Sequence, residues 1–150
     1  MNKQDIGLHE ILLTEIMRTS SMLEHGFTNL FHNYALTASQ YNILRILNGL
    51  DGKTITAGTV KERMINPKSD ATRLIDRLVQ KKLVSRTISP ENRRQINVGI
   101  TKNGVNLIKQ IDTELKEKLN AFNTSLLSTE EKTFFIVYLG KLKEEIKNAI

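Results

Sequence analysis

The sequence contains no cysteine and no apolar run long enough to cross a membrane. Without cysteine the chain has no disulfide, no thiolate metal site and no cysteine nucleophile, which fits a reducing compartment. A membrane-spanning helix needs about 18 to 20 apolar residues. The opening residues, "MNKQDIGLHE", also lack the charged-then-apolar pattern of a signal peptide. We therefore expect a cytoplasmic protein that does not associate with membranes.

Motifs of catalysis and cofactor binding are also missing. The chain has no glycine-rich phosphate loop, His-Glu-x-x-His motif, nucleophile elbow or dinucleotide fingerprint. We predict that it is not an enzyme and needs no cofactor. His25 and His32 would share a face of the first predicted helix, but no clear acidic companions accompany them, so we predict no metal site. A metal-sensing regulator is kept as an alternative.

Positive charge is abundant and is concentrated in one segment. The net charge is +6. Between Lys61 and Gln95, ten Lys or Arg residues oppose four acids, whereas the rest of the chain carries twelve of each sign. We call residues 61–95 the basic segment. A localised basic surface is typical of proteins with a polyanion partner, and a length of 150 residues fits a single globular domain.

Apolar periodicity predicts six helices and one hairpin. Residues 4–32 carry apolar side chains every three or four positions, and further helices follow four capping residues and Thr101. The predicted caps are Thr37 and Ser128 with capping boxes, Thr56, and Asn66 followed by a proline in the first turn. A short extended piece at 53–56 precedes two of these helices. Alternating polar and apolar runs at 83–89 and 95–101 then flank a Ser-Pro-Glu-Asn turn, which predicts the hairpin.

A basic amphipathic helix followed directly by a hairpin is the pattern of a winged helix-turn-helix. The helix after Asn66 has an apolar stripe and an opposite face rich in hydrogen-bond donors. A helix fits the DNA major groove, and a hairpin carries cations to the neighbouring minor groove. Basic pairs on exposed turns are often merely solvated. Because Arg93 and Arg94 follow such a helix, we predict that they form a wing tip that meets DNA.

The segments "LTASQYNILRIL", "ATRLIDRLVQKKLVSR" and "ENRRQINVGITKNG" resemble the MarR-type winged helix-turn-helix transcription regulators. The resemblance covers nearly the full chain and implies a mainly α fold, with a three-helix core and a β-hairpin wing. It implies one MarR-like domain over 1–150, with a winged-helix DNA-binding lobe at 36–101 and dimerisation helices at 1–35 and 102–150. Such proteins are typically bacterial cytoplasmic homodimers that bind double-stranded DNA, often as repressors released by a small-molecule effector.

The resemblance also assigns site residues. It implies a recognition helix from about Pro67 to Lys82. The predicted DNA contacts of the helix are Ser69, Thr72 and Arg73 for bases or grooves, and Lys68 and Arg77 for phosphates. The predicted DNA contacts of the wing are Arg86, Asn92, Arg93, Arg94 and Gln95. The family's effector pocket would involve side chains such as Met17, Phe31, Tyr34 and Tyr41, all of which equally fit core positions.

The chain departs from the family pattern in three places. Asn92 stands where the family has an aspartate, which removes a carboxylate from the wing and predicts lower wing rigidity. Lys82 stands where a glycine often follows the recognition helix, and a left-handed Lys costs about 1 kcal/mol, which favours a different helix end. The stretch "NPKSDATR" is one residue longer than the common form, so base-facing positions are fixed only to within about one residue.

The terminal helices carry apolar stripes longer than a domain of this size needs. Two-fold association is the commonest way to cover such surface, so we predict a homodimer. Its operator would be an inverted repeat with half-sites about 34 Å apart. The alternatives are that these helices fold back on their own lobe, or that the chain is a winged-helix adaptor that binds protein and has no operator of its own.

Overall fold

The computed structural model describes residues 3–89, 96–121 and 127–149. Over these residues the chain forms a mostly helical fold with one small antiparallel sheet, as predicted. The elements are α1 Lys3–Asn33, α2 Ala38–Asn48, β1 Ile55–Thr56, α3 Ala57–Arg63, α4 Ala71–Gln80, β2 Val84–Ile88, β3 Ile96–Ile100, α5 Lys102–Ala121 and α6 Thr129–Ala149.

The sheet has the strand order β1-β3-β2. Strands β2 and β3 form the predicted hairpin, with Val84 opposite Ile100 and Ile88 opposite Ile96. The extended piece before α3 becomes β1, which pairs with β3 through Ile55 and Val98. Pairing of β1 with the hairpin attaches the wing to the helical part of the lobe.

The chain divides into two compact units, Met1–Thr113 and Glu114–Ile150. The first unit contains the winged helix and its core. Its largest fully buried side chains come from all of its helices and from the sheet: Leu30, Ile43, Leu44, Leu47, Val60, Ile75, Leu78, Val98, Ile108 and Ile111. The second unit contains the end of α5 and all of α6, and its described residues include no buried side chain on α6.

Side-chain caps fix where the helices begin. Thr37 and Gln40 form both bonds of a capping box, at 3.0 and 3.2 Å. Ser128 and Glu131 form the second box, at 2.7 and 3.2 Å. Each bond satisfies an amide that the first helical turn leaves without a partner. Both predicted capping boxes are therefore confirmed.

The prediction that the recognition helix begins at Asn66 and Pro67 is wrong. The side chain of Asn66 accepts a bond from the amide of Lys68 at 3.2 Å, so it closes a turn instead of capping a helix. Asp70 is the N-cap, because its carboxylate accepts a bond from the amide of Arg73 at 3.1 Å. An ionised cap is favoured at the positive end of the helix dipole. Lys68 and Ser69 consequently lie in the α3–α4 connection.

The expected change at the other end of α4 is also wrong. Lys82 has a φ of 59°, so it takes the left-handed conformation in place of the family's glycine. Its amide donates to the Val79 carbonyl at 2.8 Å, and the Leu83 amide donates to the Leu78 carbonyl at 3.0 Å. These are the two bonds of a Schellman motif. Leu78 and Leu83 are both buried, and their packing offsets the conformational cost.

Candidate nucleic-acid interface

Helix α4 has one buried face and one exposed face. Ala71, Ile75 and Leu78 are buried, at positions that share one side of a helix. Thr72, Arg73, Arg77 and Gln80 are exposed on the other side. The three buried side chains hold the helix by packing, so its donors are presented outward from a fixed backbone. This is the arrangement that a groove-reading helix needs.

The connection before α4 is held by hydrogen bonds. Asn42 of α2 accepts a bond from the backbone amide of Ile65 at 2.9 Å. The amide of Ser69 donates to the Asn66 carbonyl at 3.2 Å. These bonds restrict a segment that would otherwise be a flexible loop. Lys68 is exposed on this connection, and Ser69 is partly buried.

An ion pair joins the wing to α4. Arg86 on β2 contacts Asp76 on α4, with a distance of 2.6 Å between Nη1 and Oδ1. Arg86 was predicted only as a DNA contact, and the sequence analysis missed its partner. The signal was present, because Asp76 is an acid on the donor-rich face of a basic helix. The ion pair lies at the junction of the helix and the wing, next to both predicted DNA-contacting elements.

Asn92, Arg93, Arg94 and Gln95 lie outside the described residues. The last described strand pair before the tip is Ile88 with Ile96. The cations of the basic segment that are described are all exposed: Lys61, Arg63, Lys68, Arg73, Arg77, Lys81, Lys82 and Arg86.

A polar cluster joins α2 to α5. The Tyr41 hydroxyl donates to Oδ1 of Asp112, and Arg45 Nη1 donates to Oδ2, both at 2.8 Å. We call Tyr41, Arg45 and Asp112 the Asp112 clamp. Burial, and then the bond to Asp112, raise the pKa of Tyr41 to about 12, so the phenol stays a donor at neutral pH. Periodicity could not reveal the clamp, because Asp112 is 71 residues from Tyr41.

The four predicted effector-pocket residues have different surroundings. Phe31 and Tyr41 are buried and stacked, with ring centroids 4.4 Å apart. Tyr34 is partly buried, whereas Met17 is 72% exposed. Met17 precedes Phe31 by fourteen residues on α1, which is about 21 Å along a helix. The structure therefore brings Phe31 and Tyr41 together and leaves Met17 apart from them.

Among the residues described, no group of three or more His, Cys, Asp or Glu side chains could hold a metal ion. Within the same part of the chain, none of the helices combines the length and the apolar character required to span a bilayer.

Comparison with known proteins identifies the family. The model of the MarR family matches residues 36–96. The HTH-type transcriptional regulator YsmB of Bacillus subtilis is 31% identical over 128 residues, covering 85% of this chain and 86% of that protein. The chain belongs to the MarR family. It is therefore a DNA-binding transcriptional regulator and not an enzyme, as predicted.

Solved MarR structures have the same fold. The Staphylococcus aureus MepR–DNA complex superposes with a TM-score of 0.75 at 19% identity, covering 87% of this chain and 93% of that one. The organohalide-sensing regulator RdhR-CbdbA1625, in its 2,4-dichlorophenol-bound form, gives 0.76 at 18% identity, covering 97% and 85%. At these identities the similarity establishes the winged-helix fold of this MarR protein and nothing finer.

Proposed function

We propose that this protein is a cytoplasmic homodimeric repressor that binds an inverted-repeat operator and leaves it when a small ligand binds. The observation that carries the proposal is the exposed face of α4. Thr72, Arg73 and Arg77 project from a helix whose other side is fully packed. Repression is the simplest outcome, because a dimer seated on its operator excludes other proteins from that stretch of DNA.

Different side chains would have different tasks. Ser69, Thr72 and Arg73 would contact base edges, and the longer Lys68 and Arg77 would contact phosphates. The wing contacts would come from Arg86, Asn92, Arg93, Arg94 and Gln95. A MepR–DNA complex with this fold supports DNA binding by the fold.

The dimer is proposed from the surface of α6. Six consecutive apolar side chains, residues 134–139, are between 43% and 71% exposed. Six consecutive positions surround a helix, and a helix that is apolar all round is normally buried. Large exposed apolar patches mark association surfaces. A second copy of the chain would cover this one, which assigns 1–35 and 102–150 to dimerisation and 36–101 to DNA binding within a single domain.

Release by a small ligand is proposed at the aromatic residues of α1 and α2. The phenol-bound form of RdhR-CbdbA1625 supports ligand binding by this fold. The candidate residues are Met17, Phe31, Tyr34 and Tyr41. Of these, Tyr41 belongs to the Asp112 clamp and Phe31 stacks on its ring, so a ligand that entered there would disturb contacts of α2.

The test is selection of bound duplexes from a random pool at two salt concentrations. We expect a palindromic consensus. Arg77→Ala should weaken binding to every duplex and reduce the salt dependence by about one counterion. Arg73→Ala should instead relax discrimination at one or two base pairs, by about 1 to 3 kcal/mol each.

Arg18→Ala is the matched control, because Arg18 is an exposed arginine of α1 paired with Glu15. It should bind like the unaltered protein. Equal affinity of all three variants for every duplex would refute the assignment. A protein that binds no duplex selectively but captures another protein through α6 would be the adaptor instead.

A further inference from the structure

The first turn of α5 is fastened to the end of the recognition helix. The Thr101 amide donates to the Leu83 carbonyl at 3.0 Å, and the Thr101 hydroxyl donates to the Lys82 carbonyl at 2.8 Å. Gly104 allows this approach, because a Cβ at that position would lie 2.3 Å from the Leu83 carbonyl oxygen. The start of α5 therefore moves with the turn that ends α4.

The Asp112 clamp is a second attachment, which lies eight residues and about 12 Å beyond Gly104 along α5. Both carboxylate oxygens are used, one by Tyr41 and one by Arg45. Between the two attachments, Ile108 and Ile111 are buried by apolar packing, which has no preferred direction. Hydrogen bonds are directional, so the clamp fixes the direction of α5 against α2 in a way that the two isoleucines do not.

We propose that the Asp112 clamp sets which operator half-site spacing the dimer accepts. This inference rests on the proposed homodimer on an inverted repeat. Helix α5 continues past the clamp to Ala121. If the terminal helices hold the dimer together, the direction in which α5 leaves each lobe determines the separation of the two recognition helices. Asp112 is thus a positioning residue, acting on DNA choice without touching DNA.

Half-site spacing is a sensitive readout of such positioning. Two recognition helices must meet successive turns of the groove, about 34 Å apart, and each added base pair also rotates the second half-site by about 35°. A clamped dimer fits one spacing well. A dimer in which the direction of α5 is not fixed binds operators of several half-site spacings, and its affinities for them differ less.

The experiment compares the selected operator with duplexes whose half-sites are moved apart or together by one and two base pairs. The unaltered protein should lose at least about tenfold in affinity for a two-base-pair change. In Asp112→Asn and Tyr41→Phe, the loss of affinity for the same change of spacing should be about threefold or less. Each substitution removes one or two hydrogen bonds of the Asp112 clamp. Affinity for non-specific DNA and dimer mass should be unchanged.

Glu62→Gln is the matched control, because it neutralises an exposed carboxylate on α3 and leaves α5 and the terminal helices untouched. It should keep the spacing profile of the unaltered protein. Tyr41→Phe carries the test if Asp112→Asn does not fold, because it removes one hydroxyl only. A sharp profile that both variants retain would overturn the inference and leave the proposed function standing. A flat profile for the unaltered protein would overturn both.

Discussion

Apolar side chains of similar size are buried in the winged lobe and exposed on α6. In the lobe, Ile43, Leu44, Leu47 and Val60 have no measurable exposure, and the described cations of the basic segment are exposed. On α6, a run of aromatic and aliphatic residues of comparable size is about half exposed. The lobe therefore encloses most of its apolar side chains by itself, with Ile65, Ile88 and Ile96 as exposed exceptions. The proposed dimer would bury the exposed apolar surface of α6.

The largest effect is expected from a charge placed in the exposed apolar run of α6. Phe135→Asp should shift the protein from dimer to monomer, because an unpaired carboxylate in an apolar interface costs about 3 to 5 kcal/mol. This corresponds to a loss of more than about a hundredfold in dimer affinity. Analytical ultracentrifugation over a range of concentrations measures it. The lobe should keep its own fold, which circular dichroism reports.

Lys132→Asp is the control for that experiment. It reverses a charge on an exposed position of the same helix, outside the apolar run. The dimer should survive it. Dissociation by both variants would indicate general repulsion, and dissociation by neither would place the association surface elsewhere.

Where α5 begins beside the lobe, the largest effect is expected at a glycine. Gly104→Ala would drive a methyl group into the Leu83 carbonyl oxygen, 2.3 Å from the ideal Cβ position. We expect the free energy of unfolding in urea to fall by about 3 kcal/mol, because overpacking forces backbone shifts. Gly58→Ala on α3 is the control, since its Cβ would meet only an ordinary contact at 3.6 Å. That change should stabilise the helix by up to about 1 kcal/mol. Equal effects at the two glycines would contradict the close approach.

Periodicity and capping chemistry predicted the order of elements, the hairpin and both capping boxes, because these features depend on residues a few positions apart. The start of α4 was wrong because two capping residues, Asn66 and Asp70, compete within five positions. The Asp112 clamp and the partner of Arg86 depend on tertiary packing between distant segments. The basic segment indicated a polyanion partner, but charge counting alone could not say which of its cations has an internal partner.

The ion pair between Arg86 and Asp76 links the wing to α4 and so preassembles the surface of the lobe. Arg86→Asp should reduce operator affinity by about tenfold or more, because it places a second carboxylate beside Asp76. Combining it with Asp76→Arg restores an ion pair with the same net charge. If Arg86 acts by linking β2 to α4, the double variant should recover most of the affinity in a gel-shift titration. No recovery would assign Arg86 to a direct DNA contact.

The smallest expected effect concerns Lys82, which holds a left-handed conformation at the end of α4. Lys82→Gly should raise the free energy of unfolding by about 0.5 to 1 kcal/mol, because glycine adopts a positive φ without steric cost while losing some entropy on folding. Lys82→Ala keeps the Cβ and removes the charge, so it should give no such gain. Urea titration of the three proteins separates these contributions. A gain with alanine equal to that with glycine would attribute the effect to charge in the basic segment, and the left-handed backbone would then carry no measurable cost.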